Sequence, residues 1–170
     1  SDFGLYAVVG GLVAMMAFLN SSMASTSNRF IAVELGKGAY GNLNKIFNTV
    51  FIVHILLAIL LVIVAEILGV WYVKTHLNIE TDKVEDALLV LHCSIVSAAL
   101  ATLILPFQGL VTAHEKFNIR ASIELTQSLL NLGIVLLLTL YHGNKLIAYA
   151  ILVLLNQVII ALLFYTYSLL

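Results

Sequence analysis

The chain has little charge: Asp, Glu, Lys and Arg make up 10% of its 170 residues, against about 25% in an ordinary soluble domain. It has one cysteine, Cys93, and one proline, Pro106. The lone thiol excludes a disulfide framework or a cysteine-built zinc site and reads as inert filler in an apolar segment. The eight Lys and Arg are scattered among loops, so no basic patch points to nucleic acid. The opening SDFGLY carries no Met, basic region or cleavage site and does not read as a signal peptide. It looks like the start of a piece cut from a longer chain.

Hydrophobic residues make up the bulk, at 62%. No globular core of this length hides so much apolar surface, whereas a bilayer with a hydrocarbon core about 30 Å thick accepts segments of roughly 20 apolar residues as they are. Hydropathy lays out five spans, at about 3–35, 46–72, 85–112, 122–141 and 146–170. The connections GKGAYGN, KTHLNIETDKVED, HEKFNIR and HGNK carry loop chemistry, and Asp82 with Glu85 resembles a capping pair for the third helix. The expected architecture is all-α: a polytopic membrane helix bundle of five transmembrane helices in a single region. Five short-looped spans alternate in direction, which puts Arg29, Lys37, Lys45, Lys116 and Arg120 on one side and Lys74, Lys83 and Lys145 on the other. This imbalance makes the first side cytoplasmic under the positive-inside rule.

Polar residues interrupt the first span at NSSMASTSNRF, residues 20–30. Only about 17 apolar residues precede this run, the bottom of the range for a span, so it begins at membrane depth or at its edge. A helix continuing to Leu35 is roughly 50 Å long, more than the hydrocarbon core needs. It must tilt, protrude or line something wet. At about 100° per residue, Ser21, Ser22, Ser25, Asn28 and Arg29 form one stripe, continued toward the amino end by the small residues Gly4, Ala7, Gly11 and Ala14. For the hydroxyls, helix contact and cavity wall are both open. For Arg29, a cation that costs about 2.5–3.5 kcal/mol at the helix centre either faces a cavity or snorkels to the interface.

The fourth span repeats the pattern. Arg120, Glu124, Gln127, Ser128 and Asn131 share one helical face, with Arg120 and Glu124 spaced to pair. A solvated helix end explains Arg120, but less well a stripe reaching Asn131, roughly 16 Å further along. In the third span Gln108 lies on a face of small and polar residues, and Pro106 removes a backbone bond to Thr102 and forms a gate, a hinge or a fixed bend. In the second span His54 and Glu66 are roughly 18 Å apart along the axis, so they form no dyad on that helix. Asn156 and Gln157 are placed to bond to neighbouring helices.

No catalytic constellation appears. His114 and Glu115 begin a zinc-type H-E-x-x-H, but residue 118 is Asn, and GKG at 36–38 matches neither phosphate-binding glycine pattern. No metal or cofactor is called for. The polar residues form walls, which points to passage or binding instead of bond making.

Three stretches, SDFGLYAVVGG at the start, NRFIAVELGKG at 28–38 and LPFQGLVTAHEKF at 105–117, together resemble the amino-terminal half of bacterial polysaccharide flippases. These belong to the multidrug, oligosaccharidyl-lipid and polysaccharide exporter superfamily. The resemblance rests on the order and spacing of the stretches and implies the second to sixth helices of a two-lobed transporter with about 12 to 14 spans of roughly 20 residues. It implies flipping of an undecaprenyl-pyrophosphate-linked oligosaccharide across the bacterial inner membrane for surface polysaccharide synthesis. The implied partners are that lipid-linked oligosaccharide, membrane lipid and the remaining helices. Arg29, with Ser25 and Asn28, would contact the anionic head group, and Arg120, Glu124, Gln127 and Asn131 would line a vestibule or gate. Three alternatives stand beside this reading. They are a cation-coupled drug exporter of the same superfamily, an integral membrane transferase using His114, Glu115 or Glu66 on polyprenyl-linked sugars, and a scaffold subunit.

Overall fold

The computed structural model describes residues 22–38, 40–75 and 84–168, in five α-helices with no strand among them. Helix α1 covers 22–36. It is followed by α2 (Tyr40–Thr75), α3 (Val84–Ala113), α4 (Phe117–Leu140) and α5 (Lys145–Ser168). The last four are each long and apolar enough to cross a membrane. The part of the first span before residue 22, with Ser21 and the small residues ahead of it, lies outside the described residues, as do Asp82 and Lys83. The fold is a helical bundle of the multi-pass membrane kind, the arrangement in which every backbone donor and acceptor is satisfied within its own segment.

The helices overrun the hydropathy spans where polar ends continue the helix past the apolar stretch. α2 starts at Tyr40, not 46, and its 36 residues make it roughly 54 Å long, so its ends project beyond a hydrocarbon core of about 30 Å. Gly38 (φ 70°) closes the preceding turn, which frees the chain to resume helix almost at once. The expected loop 114–120 contracts to 114–116 and α4 begins at Phe117, not 122. Two backbone bonds close this turn, Lys116 N–H to Val111 O at 3.1 Å and Glu115 N–H to Thr112 O at 3.0 Å. With Glu115 at φ 57°, this is a Schellman ending that has a glutamate where glycine is usual. The sequence gives no glycine there to announce it. Arg120 therefore belongs to the first turn of α4 and not to a loop.

Helix α3 is the hub: α2 and α5 pack along its length, α4 touches it lightly and leans on α5. It runs unbroken through the buried Pro106. The core gathers Ile104 and Val111 of α3, Ile123 of α4, and Ile160 and Phe164 of α5. Beside it Phe107 stands edge-on to Phe47 and Phe51 of α2 at 5.4 Å and to Tyr165 of α5 at 5.8 Å. Aromatic edges set against ring faces suit the ring quadrupole and tie three helices at one level. Further along the α2–α3 seam, Gly69 lets the helices approach so closely that a Cβ there would lie 2.8 Å from Leu91 Cδ1.

The outward faces are oily. Leu56, Leu60 and Ile67 on α2, Leu125, Leu129 and Leu132 on α4, and Leu155 and Leu162 on α5 are each more than half exposed. A water-soluble monomer does not display continuous apolar surface of this extent. A surface of this kind suits a hydrocarbon environment.

Candidate functional site

On α1 the polar stripe and the packing face are different faces. Ser27, Ile31 and Glu34, spaced four and three residues apart, are buried, while Ser22, Ser25 and Arg29 are exposed. Asn28 stands between the two faces, half-buried. Its Oδ1 is 2.6 Å from the point where a Cβ on Gly109 of α3 would sit, with Ile31 Cδ1 at 3.3 Å. The glycine is what allows α1 to rest on α3, and Asn28 belongs as much to that contact as to the stripe. The buried Glu34 is held by Lys37 at 3.0 Å. Neither Ser27 nor Glu34 stands out from hydropathy, although their spacing with Ile31 at i, i+4 and i+7 is the signature of a buried helix face.

On α4 the Arg120–Glu124 pair forms as its spacing predicts. Arg120 Nε donates to Glu124 Oε1 at 2.7 Å, one turn ahead. Its Nη1 donates to Thr112 Oγ1 on α3 at 2.9 Å, and that hydroxyl donates in turn to the carbonyl of Gln108 at 2.7 Å. Thr112 was not singled out by sequence, because its role depends on how closely α4 folds back over the end of α3. Arg120 is thereby fixed by two of its nitrogens, and a guanidinium held through its fork keeps a defined direction. The side chains of Arg120 and Glu124 remain 34% and 50% exposed, so both reach space outside the core. Gln127 is half-buried and Asn131 is exposed at its edge, yet Asn131 Oδ1 accepts a 2.8 Å bond from Asn156 Nδ2 of α5. The sequence expectation that Asn156 bonds a neighbouring helix thus acquires its partner.

The two stripes meet α3 on the same turn. Asn28 rests on Gly109 and Arg120 on Thr112, with Gln108 adjoining. Arg29 and Arg120 therefore belong to the same end of the bundle, Arg29 about two turns before the end of α1 and Arg120 about one turn into α4. Asn131 lies 11 positions beyond Arg120, roughly 16 Å along α4, so the stripe runs from that end toward the middle of the helix.

Other residues with chemical potential have structural partners. Glu66 Oε1 meets His92 Nδ1 at 2.8 Å across the α2–α3 seam. His54 is elsewhere, so the absence of a His54–Glu66 dyad holds. His114 Nδ1 bonds the carbonyl of Leu110 at 2.9 Å. Among the described residues no three His, Cys, Asp or Glu gather as metal ligands, and Cys93 is a free, half-buried thiol.

Comparison of the chain with protein-family models, curated proteins and solved structures returns no match. The functional reading therefore stands on the residues themselves.

Proposed function

We propose that the chain is part of the amino-terminal lobe of a flippase that carries an undecaprenyl-pyrophosphate-linked oligosaccharide across the bacterial inner membrane. One observation carries the reading. In a chain poor in charge, two arginines on different helices lie at one end of the bundle beside the same turn of α3, each flanked by hydroxyls or amides. A pyrophosphate and its sugars cannot cross hydrocarbon unaided, because charged groups are extremely costly there without compensation. A path walled with cations, amides and hydroxyls lowers that cost, and α1 and α4 carry such walls on faces that the core leaves open. The excess of Lys and Arg at this end makes it cytoplasmic, the leaflet where the cargo is assembled. Arg29 is the head-group contact, and Arg120 with Glu124, Gln127 and Asn131 forms the vestibule.

A transferase reading draws less support, since Glu66 is engaged by His92 and Glu115 occupies a tight turn. The cation-coupled exporter has one observation in its favour, the buried carboxylate of Glu34. Lys37 already compensates that charge, so no transported cation is needed to do so.

Arg29→Ala in the full-length protein is expected to abolish surface polysaccharide while the protein still inserts in the membrane at normal levels. Polymer output equal to wild type removes Arg29 from the path. Proton- or sodium-driven dye efflux that is lost in Glu34→Gln would favour the exporter instead.

A further inference from the structure

Two clefts adjoin where α4 begins and α5 finishes. The larger, about 230 Å³, lies between the two helices. Asn118 and Tyr167 line it from the terminal turns, and Ile119, Ile123 and Leu163 continue the lining toward the middle of the helices. The smaller, about 80 Å³, is lined by Lys116 and His114 and shares Tyr167 with the first.

The donors around these clefts are unspent. Among the described residues Lys116 has no ion-pair partner, and the Asn118 amide and the Tyr167 hydroxyl make no hydrogen bond. The N–H groups of Ile119 and Arg120 both reach Lys116 O, at 3.1 and 3.2 Å, but the N–H of Asn118 meets no backbone acceptor and adds to the positive end of α4. The other polar groups are committed. His114 Nδ1 bonds the carbonyl of Leu110 at 2.9 Å, the hydroxyls of Ser122 and Thr126 donate to carbonyls of their own helix at 2.8 Å, and Arg120 is held by Glu124 and Thr112. No carboxylate is among the lining residues of either cleft. Glu115, beside Lys116 in the turn, is exposed and lines neither.

A lysine with free amide and hydroxyl donors calls for an anion rich in acceptor oxygens, as a phosphate is. The apolar lining that leads inward from it calls for a hydrocarbon chain. An amphiphile answers both, whereas a soluble anion leaves Ile119, Ile123 and Leu163 unused. Phe117, 58% exposed at the start of α4, suits the level of the head groups, where aromatic side chains gather. The excess of Lys and Arg makes this end cytoplasmic, and basic pockets between membrane helices on that side take anionic lipid head groups.

We infer that the cleft between the start of α4 and the end of α5 holds one anionic phospholipid, with its phosphate at Lys116, Asn118 and Tyr167 and an acyl chain along Ile119, Ile123 and Leu163. The site is separate from the Arg29 and Arg120 walls and does not rest on the export reading.

The test counts lipids bound to the full-length protein by native mass spectrometry, with phosphatidylglycerol and phosphatidylcholine of identical acyl chains as probes. The first phosphatidylglycerol is expected to bind the wild type at about fivefold lower concentration than phosphatidylcholine, the contribution of one lysine near a head group. Lys116→Gln is expected to abolish that preference, and Lys145→Gln, at the opposite end of the bundle, to keep it. Ser122→Trp, which fills the cleft from an exposed position, is expected to weaken both lipids. Equal binding of the two lipids to the wild type, a preference that survives Lys116→Gln, or one lost equally in Lys145→Gln overturns the site. Unchanged binding in Ser122→Trp removes the lipid from this cleft. Displacement of phosphatidylglycerol by an equal concentration of inorganic phosphate overturns the lipid as occupant.

Discussion

Asn156 Nδ2 donates to Asn131 Oδ1 at 2.8 Å, joining α5 to α4 near the midpoints of both helices. Asn156 is 5% exposed, and its own Oδ1 has no partner. Interhelical hydrogen bonds in membranes contribute about 0.6 kcal/mol on average and about 1.7 at most. The more important quantity is the penalty for breaking one side of the pair. Asn131→Leu strands a buried amide and is expected to cost about 1–2 kcal/mol, whereas Asn131→Leu with Asn156→Leu returns close to wild type because neither amide is left to satisfy. Reversible unfolding in mixed micelles measures the cycle. A double variant that loses the sum of the single losses would show that the pair acts through shape and not through its bond.

The contact of α1 with α3 depends on Gly109. Adding a methyl group there brings it within 2.6 Å of Asn28 Oδ1 and 3.3 Å of Ile31 Cδ1. Gly109→Ala is expected to cost about 1–3 kcal/mol as overpacking, and Asn28→Ala in the same chain is expected to recover much of the loss. Gly133 provides the contrast, since a Cβ there meets nothing within 4 Å. Gly133→Ala is expected to raise stability by about 0.5–1 kcal/mol through helix propensity alone.

Features local in sequence were legible and features that depend on packing were not. Four crossing helices follow from apolar runs that a bilayer requires, and the Arg120–Glu124 pair follows from one turn of helix. Glu66 and His92 are 26 positions apart, and only the angle and register of α2 against α3 make them neighbours. Thr112 escaped notice for the same reason. The stripe on α1 was legible as a stripe, but its packing face was not, because Ser27 and Glu34 are polar residues on the buried side. Asn144 illustrates both kinds. Its Oδ1 accepts from Leu146 N–H at 3.2 Å and Ile147 N–H at 3.4 Å, an N-cap visible in the residue type. Its Nδ2 also bonds Asp86 Oδ2 at 2.5 Å, which no local rule foresees.

The turn between α3 and α4 has a built-in strain that substitution can release. Glu115 adopts φ 57°, a region that costs most residues about 1 kcal/mol or more and glycine almost nothing. Glu115→Gly is expected to stabilise the protein by up to about 1 kcal/mol, and Glu115→Val to destabilise it, because a β-branched residue tolerates this conformation poorly. Thermal unfolding of the two variants tests the sign. Retained export in Glu115→Gly would also exclude this carboxylate as a catalytic group.

Arg120 separates charge from scaffolding. Its guanidinium holds Glu124 through Nε and Thr112 through Nη1, so a purely structural role requires both bonds and is indifferent to net charge. Glu124→Gln keeps an oxygen that can accept from Nε but removes a negative charge beside the proposed anion path. Arg120→Gln removes the positive charge. If the α4 face receives an anionic head group, Glu124→Gln is expected to leave polysaccharide export unchanged or raised, while Arg120→Gln lowers it by about tenfold or more, the equivalent of roughly 1.4 kcal/mol. Arg120→Lys separates the cases further, because an ammonium keeps the charge but cannot span both partners with the planar fork. Export in that variant is expected to fall between wild type and Arg120→Gln. Comparable losses in Thr112→Val and Arg120→Gln, tracked by surface polymer at matched protein levels, would assign Arg120 to holding α4 against α3 and remove it from the cargo path.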